Sequence, residues 1–212
     1  MLFWNRVQNW HLLSDNTNFK YSTTNPCGEL PLPDYGACLL GSINLAKFVI
    51  EPFSEYPYID FIKLEQVIKQ AVIALNEVLD EGIELHPLVG QREHAKNYRP
   101  IGLGVMGFAD MLIMLGIPYG SKNAINLAKD LGHVILNVAL EQSALLAKEH
   151  GTYPAYTEDI FNSKFYKENL CEDTKKLIEQ YGLRNSHVLS IAPTGSISTM
   201  IGVSGGIEPL FA

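Results

Sequence analysis

The stretch Thr24-Asn25-Pro26-Cys27-Gly28-Glu29-Leu30-Pro31-Leu32-Pro33-Asp34-Tyr35-Gly36-Ala37-Cys38-Leu39-Leu40-Gly41-Ser42-Ile43-Asn44-Leu45 joins a loop of chemically distinct side chains to an extended run. Its first six residues place an amide, a thiol and a carboxylate at alternate positions. In an extended loop alternate side chains project the same way, so Asn25, Cys27 and Glu29 are expected to face one ligand. Pro26 restricts Asn25 to extended conformations, and Gly28 lets the backbone approach a ligand closely. A thiol beside a base suits nucleophilic or radical chemistry. The plain alternative is a buried free cysteine in a loop with a solvated glutamate nearby. The run from Ala37 to Val49 is the one convincing strand in the first 57 residues, which are otherwise rich in Asn, Pro, Gly and Ser and read as loops.

Outward from this stretch the pattern becomes helical. Phe61, Leu64, Ile68, Ala71, Val72, Leu75, Val78 and Leu79 recur at helical spacing, with Asp60 as N-cap and Gly82 beyond the end. Tyr98 to Gly104 reads as a short strand or extended entry, and Gly107 to Leu115 as a helix closed by Gly116. A long helix is predicted from the N-cap Ser121, with an apolar stripe of Ala124, Ala128, Leu131, Ile135 and Val138, to Gly151. Shorter helices are predicted near Glu158 to Lys167 and Asp173 to Tyr181. His187 to Ala192 is a short apolar strand that runs into the turn Pro193-Thr194-Gly195-Ser196-Ile197-Ser198. Strand followed by helix, repeated, implies an α/β fold with a mostly parallel sheet covered by helices.

Composition limits the function classes. A chain of 212 residues with 47% hydrophobic content can bury one core, so a single domain over residues 1–212 is expected. A net charge of -7, with no basic run longer than Lys175-Lys176, argues against a nucleic-acid polymer or a membrane surface as partner. Arg6, Gln8, Asn9 and His11 interrupt the first thirteen residues, unlike a signal peptide, and no apolar run reaches bilayer length. Three cysteines without short paired spacing fit a reducing compartment, hence a cytoplasmic location. Ile207 to Ala212 carry no capping pattern, so the chain is expected to be cut from something longer.

Other motifs carry weaker chemistry. Backbone N–H groups and hydroxyls of the turn after Ala192 form an anion nest suited to phosphate if a helix starts there; the alternative is a plain strand-to-helix turn. Gly102-Leu103-Gly104-Val105-Met106-Gly107 fits a dinucleotide-binding pattern, but Ala95 to Pro100 are mostly polar and Asp130 falls inside the long helix, so the required strand and ribose-binding acid are missing. His86 and His94 lie eight apart in an expected loop, and no metal-ligand spacing appears, so no metal site is predicted. Arg92, Glu93 and Arg99 read as a solvated face, and Cys171 as a partly buried structural thiol.

The block Asn25 to Glu29, followed eleven residues after Cys27 by Cys38 in an Ala-Cys-Leu-Leu-Gly-Ser-Ile-Asn-Leu run, closely resembles the active-site loop of ribonucleotide reductases, most nearly the adenosylcobalamin-dependent class. Arg99 to Leu112 resembles a segment of the same barrel in which glycines serve close packing. The resemblance covers nearly the whole chain. It implies part of a ten-stranded α/β barrel with a finger loop, near residues 22–38, carrying the active-site cysteine and shielded by barrel strands. Cys27 is then the thiyl radical that takes the 3′ hydrogen atom of the ribose, Glu29 the acceptor of the 3′ hydroxyl proton, and Asn25 the residue that orients the ribose hydroxyls. Cys38 corresponds to one member of the redox pair. Residues Asn25 to Glu29, with Pro26 and Gly28 between the functional side chains, and Pro193, Thr194, Gly195, Ser196 and Ile197 of the phosphate turn near 192–198 form the implied substrate site.

The same resemblance implies a ribonucleotide substrate and a thioredoxin- or glutaredoxin-type reductant. The radical source is adenosylcobalamin or a metal-bearing small subunit, neither bound by this chain alone. The redox partner of Cys38 belongs to an earlier half of the barrel, and no cysteine precedes Cys27. The missing N-terminal half of the catalytic subunit is therefore an expected partner, and the chain alone is expected to be inactive. The alternative reading is a non-catalytic fragment that completes the barrel of a partner chain; a nicotinamide-dependent dehydrogenase built on the glycine pattern is a third.

Overall fold

The computed structural model describes residues 2–210. A short helix α1 (Trp4–Asn9) precedes a two-stranded antiparallel hairpin, β1 (Thr23–Thr24) and β2 (Pro31–Leu32), with Thr23 opposite Leu32. Then come β3 (Leu39–Asn44), β4 (Val49–Ile50), β5 (Tyr58–Ile59), α2 (Phe61–Leu85), α3 (Val89–Tyr98), β6 (Ile101–Met106) and α4 (Phe108–Met114). The chain closes with α5 (Lys122–His150), α6 (Lys164–Asn169), α7 (Glu172–Tyr181) and α8 (Gly195–Ile201).

β3 and β6 pair in parallel, from Leu39 opposite Ile101 to Asn44 opposite Met106. The expected strand at 187–192 lies on the other side of β6 but makes only an isolated parallel bridge, Leu103 to Leu189. Ile101 N donates to His187 O at 3.0 Å and Ser190 N to Leu103 O at 3.1 Å. The result is an arc of parallel backbone; among the described residues no closed barrel forms. Helices cover one face of this arc. Leu64, Ile68 and Val72 of α2, Leu131, Leu140 and Ala144 of α5, and Ile101 and Leu103 of β6 are buried in one cluster. A Cβ on Gly41 would stand 3.4 Å from Leu75, so the glycine brings β3 close to α2. The opposite face leaves Leu40 43% exposed and supports the candidate site.

Local chemistry explains several helix ends. Asp60 Oδ1 accepts from Lys63 N at 2.9 Å, Ser121 Oγ accepts from Ala124 N at 3.2 Å, and Gly151 ends α5 with its N–H on Ala147 O. Helix α2 departs from expectation by running through Gly82 to Leu85. An interior glycine costs about 1 kcal/mol against alanine, and burial of Leu79 and Ile83 on either side offsets it. The strand expected over Ala37 to Val49 stops at Asn44, whose Oδ1 accepts from Ala46 N at 3.1 Å and turns residues 45–48 into a 3-10 helix. The region expected as a loop around His86 and His94 contains α3, whose polar sequence carries little apolar periodicity. Of the predicted stripe on α5, Ala124, Leu131, Ile135 and Val138 are buried and Ala128 is exposed.

Arg99 is the clearest correction. Expected on a solvated face, it is only 5% exposed and ends α3 in the left-handed region with φ 47°. Its guanidinium pairs with Asp80 and donates to Asn76 Oδ1 at 3.2 Å. Asn185 completes the network, donating to Asn76 Oδ1 at 2.9 Å and Arg99 O at 2.8 Å and accepting from Ser143 Oγ at 3.0 Å. Side chains from α2, α5 and the 185 segment thus hold one another through a largely buried hydrogen-bonded network. That network fixes the start of the extended segment that leads to the turn at Pro193.

Candidate functional site

The finger loop is a tight turn at the tip of the β1–β2 hairpin, not the extended loop expected. Gly28 sits at φ 81°, which favours glycine, and Asn25 N donates to Leu30 O at 3.0 Å. Asn25 Oδ1 accepts from Gly28 N at 3.1 Å and Leu30 N at 3.0 Å, so the amide oxygen faces its own loop. Only its Nδ2 is left for a ligand. Cys27 lies outside any helix, as expected, but is exposed where shielding by barrel strands was expected; the arc of barrel in this chain does not enclose it. Glu29 is half-buried, and its Oε2 is buried without a hydrogen-bond partner. A buried carboxylate oxygen left unpaired is costly, which suits a base whose partner is a bound molecule.

The turn at 192–198 does start a helix. Thr194 adopts φ 53°, and α8 begins at Gly195. Thr194 Oγ1 accepts from Gly206 N at 2.9 Å, so its hydroxyl oxygen holds the turn together. Ser196 and Ile197 are exposed on the first turn of α8. An open groove of about 660 Å³ is lined by Cys27, Gly28 and Glu29 on one side and Pro193, Gly195, Ser198 and Thr199 on the other. Segments more than 160 positions apart in the chain therefore meet at one cavity, whereas Asn25, Pro26, Cys38, Thr194, Ser196 and Ile197 are not among its lining residues. Val203 to Leu210 close the groove and were missed at the sequence level. The Gly202 to Gly206 tract was the only signal for them.

Cys38 stands just before β3, half-buried, and burial together with the Glu29 carboxylate pushes its thiol up to about 12. It is a thiol at neutral pH. Cys171 is half-buried at the start of α7, with its sulfur 2.9 Å from Thr174 Oγ1. Among the described residues no group of three or more His, Cys, Asp or Glu is arranged to hold a metal, and no helix is long and apolar enough to cross a membrane.

The glycines of the 102–107 pattern serve packing. A Cβ on Gly104 would run into the Ser190 carbonyl oxygen, and one on Gly102 would stand 2.8 Å from Cys38 Sγ. Gly104→Ala is expected to destabilise the fold by about 1–3 kcal/mol, the usual range for overpacking against unyielding backbone. Urea unfolding of the variant checks this; an unchanged midpoint would show that the extended segment yields.

The family profile described as "Ribonucleotide reductase, barrel domain" matches residues 1–212. The chain belongs to the ribonucleotide reductase barrel family. This reductase-barrel chain is 40% identical over 193 residues to the vitamin B12-dependent ribonucleoside-diphosphate reductase of Mycobacterium tuberculosis (strain CDC 1551 / Oshkosh), covering 91% of the chain and 25% of the relative. The Thermoplasma acidophilum protein of the same name is 40% identical, covering 90% of the chain and 22% of the relative. The ribonucleoside-diphosphate reductase subunit alpha of Chlamydia pneumoniae is 33% identical, covering 89% and 20%. Our chain thus spans a quarter or less of the length of these curated relatives. The Actinobacillus ureae class Id ribonucleotide reductase alpha subunit superposes with a TM-score of 0.70 at 24% identity, over 97% of this chain and 35% of that one. That likeness supports the α/β barrel fold of the reductase family, of which the described residues form an arc.

Proposed function

We propose that this chain forms the substrate-reducing part of a ribonucleotide reductase catalytic barrel, converting a ribonucleotide to the 2′-deoxyribonucleotide once the rest of the barrel is supplied. The observation that carries the proposal is the shared groove, in which Cys27 and Glu29 face the start of α8 in a chain of this family. A thiyl radical on Cys27 takes the hydrogen atom from the ribose 3′ carbon, forming the S–H bond. Glu29 accepts the 3′ hydroxyl proton through its unpartnered Oε2 as the 2′ hydroxyl leaves as water. Cys38 and a second cysteine from the remaining barrel supply the two electrons and protons and end as a disulfide, and Cys27 returns its hydrogen atom. A thioredoxin- or glutaredoxin-type protein then reduces that disulfide.

The radical originates outside this chain, from adenosylcobalamin or a metal-bearing subunit; such a group supplies the one-electron oxidation of the thiol. Relatives named as vitamin B12-dependent support the cobalamin source, and relatives named only as subunit alpha leave the metal subunit open.

Mixing the chain with the missing barrel half, a reductant and a radical source tests the proposal by product analysis. Deoxyribonucleotide formation is expected; a well-folded complex without product would favour a scaffold role. In the same assay Ser196→Ala is expected to weaken substrate binding by about 1.5–3 kcal/mol, the value of one hydrogen bond to a charged acceptor. Ser196 is exposed on the first turn of α8, where the backbone N–H groups are free to meet a phosphate. Because that contact exists before and during the chemistry, the loss should appear in substrate affinity with kcat little changed. Unchanged affinity would remove Ser196 from the phosphate site.

A further inference from the structure

The face of the sheet that looks toward the finger loop has a gap in its middle strand. Gly102 carries no side chain, and the point where its Cβ would stand lies 2.8 Å from Cys38 Sγ, 2.8 Å from Leu40 Cδ2 and 3.0 Å from Ser190 Cβ. Cys38 and Ser190 thus flank one another across a glycine, on the two segments that pair with β6. Ser190 is 6% exposed, and its Oγ is buried with no hydrogen-bond partner. Serine hydroxyls in such positions are nearly always bonded, and an orphan costs about 1–3 kcal/mol. Cys38 is also poorly served, its one contact being a long 3.6 Å donation to Leu39 O.

We infer that Ser190 is a positioning residue for Cys38, its hydroxyl donating to the sulfur when the thiol gives up its proton. The inference rests on the reading of Cys38 as a redox cysteine. A thiol must shed its proton to form a disulfide, and here that proton leaves a buried sulfur beside a carboxylate. Desolvation and Glu29 both oppose the thiolate. Tyr21, whose hydroxyl is bonded to His187 and whose proton burial and Cys38 hold more tightly than usual, adds no charge near neutral pH. Ser190 is the hydroxyl left to stabilise the anion, since its Oγ is buried without a partner and its Cβ and the sulfur both stand against the same point beside Gly102. In the resting thiol form the serine is idle; in the thiolate form both groups are satisfied. A side chain at position 102 would crowd the space that Cys38, Ser190 and Leu40 share.

The test uses the 212-residue chain itself, with Cys27 and Cys171 replaced by serine so that only Cys38 reacts, and iodoacetamide as probe. The thiolate displaces iodide to form the S–C bond, and the thiol proton goes to solvent. Ser190→Ala is expected to slow Cys38 alkylation about tenfold or more at fixed pH and to move its pH profile upward, as loss of a donor to a charged acceptor requires. Ser190→Thr, which keeps the hydroxyl, should restore the rate. An alanine variant that alkylates at the parent rate or faster would overturn the assignment. If Ser190→Ala fails to fold, Ser190→Cys in the same background keeps the volume with a weaker donor, and equal rates at Cys38, resolved by peptide mapping, would likewise overturn it. No substrate or turnover enters the measurement, so failure of the reductase proposal and failure of the Ser190 role give separate results.

Discussion

Cys27→Ser in the reconstituted enzyme is expected to lower deoxyribonucleotide formation by about four orders of magnitude or more, as loss of a group on which the whole mechanism turns requires. Serine is nearly isosteric, but its O–H bond is too strong to become the hydrogen-atom acceptor. The substitution should be silent structurally. Cys27 is exposed at the tip of a hairpin whose geometry is set by Asn25 and Gly28, and surface changes of this kind shift stability by about 0.5 kcal/mol or less. Turnover near the parent level, with the variant folded, would place the radical on another residue.

The second large effect is an acid-induced loss of stability. His187 is half-buried, accepts or donates with Tyr21 Oη and Ser186 Oγ, and packs near the rings of Phe19 and His11. Burial, with His11 and His94 as neighbours, lowers it to about 3; burial lowers His11 to about 4, against backbone and Asp15 contributions that raise it. Both are neutral in the folded chain. The unfolded chain takes up their protons as pH falls below the ordinary histidine range, so stability is present above about pH 6.5 and is lost as pH falls toward the folded values. At up to about 1.4 kcal/mol per pH unit for each histidine, with the slope falling off near each titration point, the pair removes on the order of 5 kcal/mol between pH 6.5 and 4. That is comparable to the whole stability of a small domain.

Urea unfolding at pH 7 and pH 4.5 reads the effect. His187→Gln, which keeps hydrogen-bonding groups without a titrating proton, is expected to lose about half as much stability across that interval as the parent. Equal losses in the two proteins would assign the acid sensitivity to other groups.

The elements legible in the sequence were those whose causes are local. Asp60 and Ser121 cap helices because a side-chain oxygen three residues back meets a free N–H, and Gly116 and Gly151 end them because glycine alone adopts the left-handed turn cheaply. The order of chemically distinct groups from Asn25 to Cys38 was enough to suggest the family, and the family match bears that out. Tertiary structure decided the rest, because burial depends on partners distant in the chain. Nothing near Arg99 in sequence announces Asp80, Asn76 and Asn185, and so a charged residue in a polar stretch read as solvated. The turn at Cys27 was set by hydrogen bonds that Asn25 Oδ1 accepts from Gly28 N and Leu30 N of its own loop, which override simple alternation. The meeting of Glu29 with Gly195, and of Cys38 with Ser190 beside Gly102, comes from β3 and the 187–190 segment both pairing in parallel with β6, a register that no local periodicity carries.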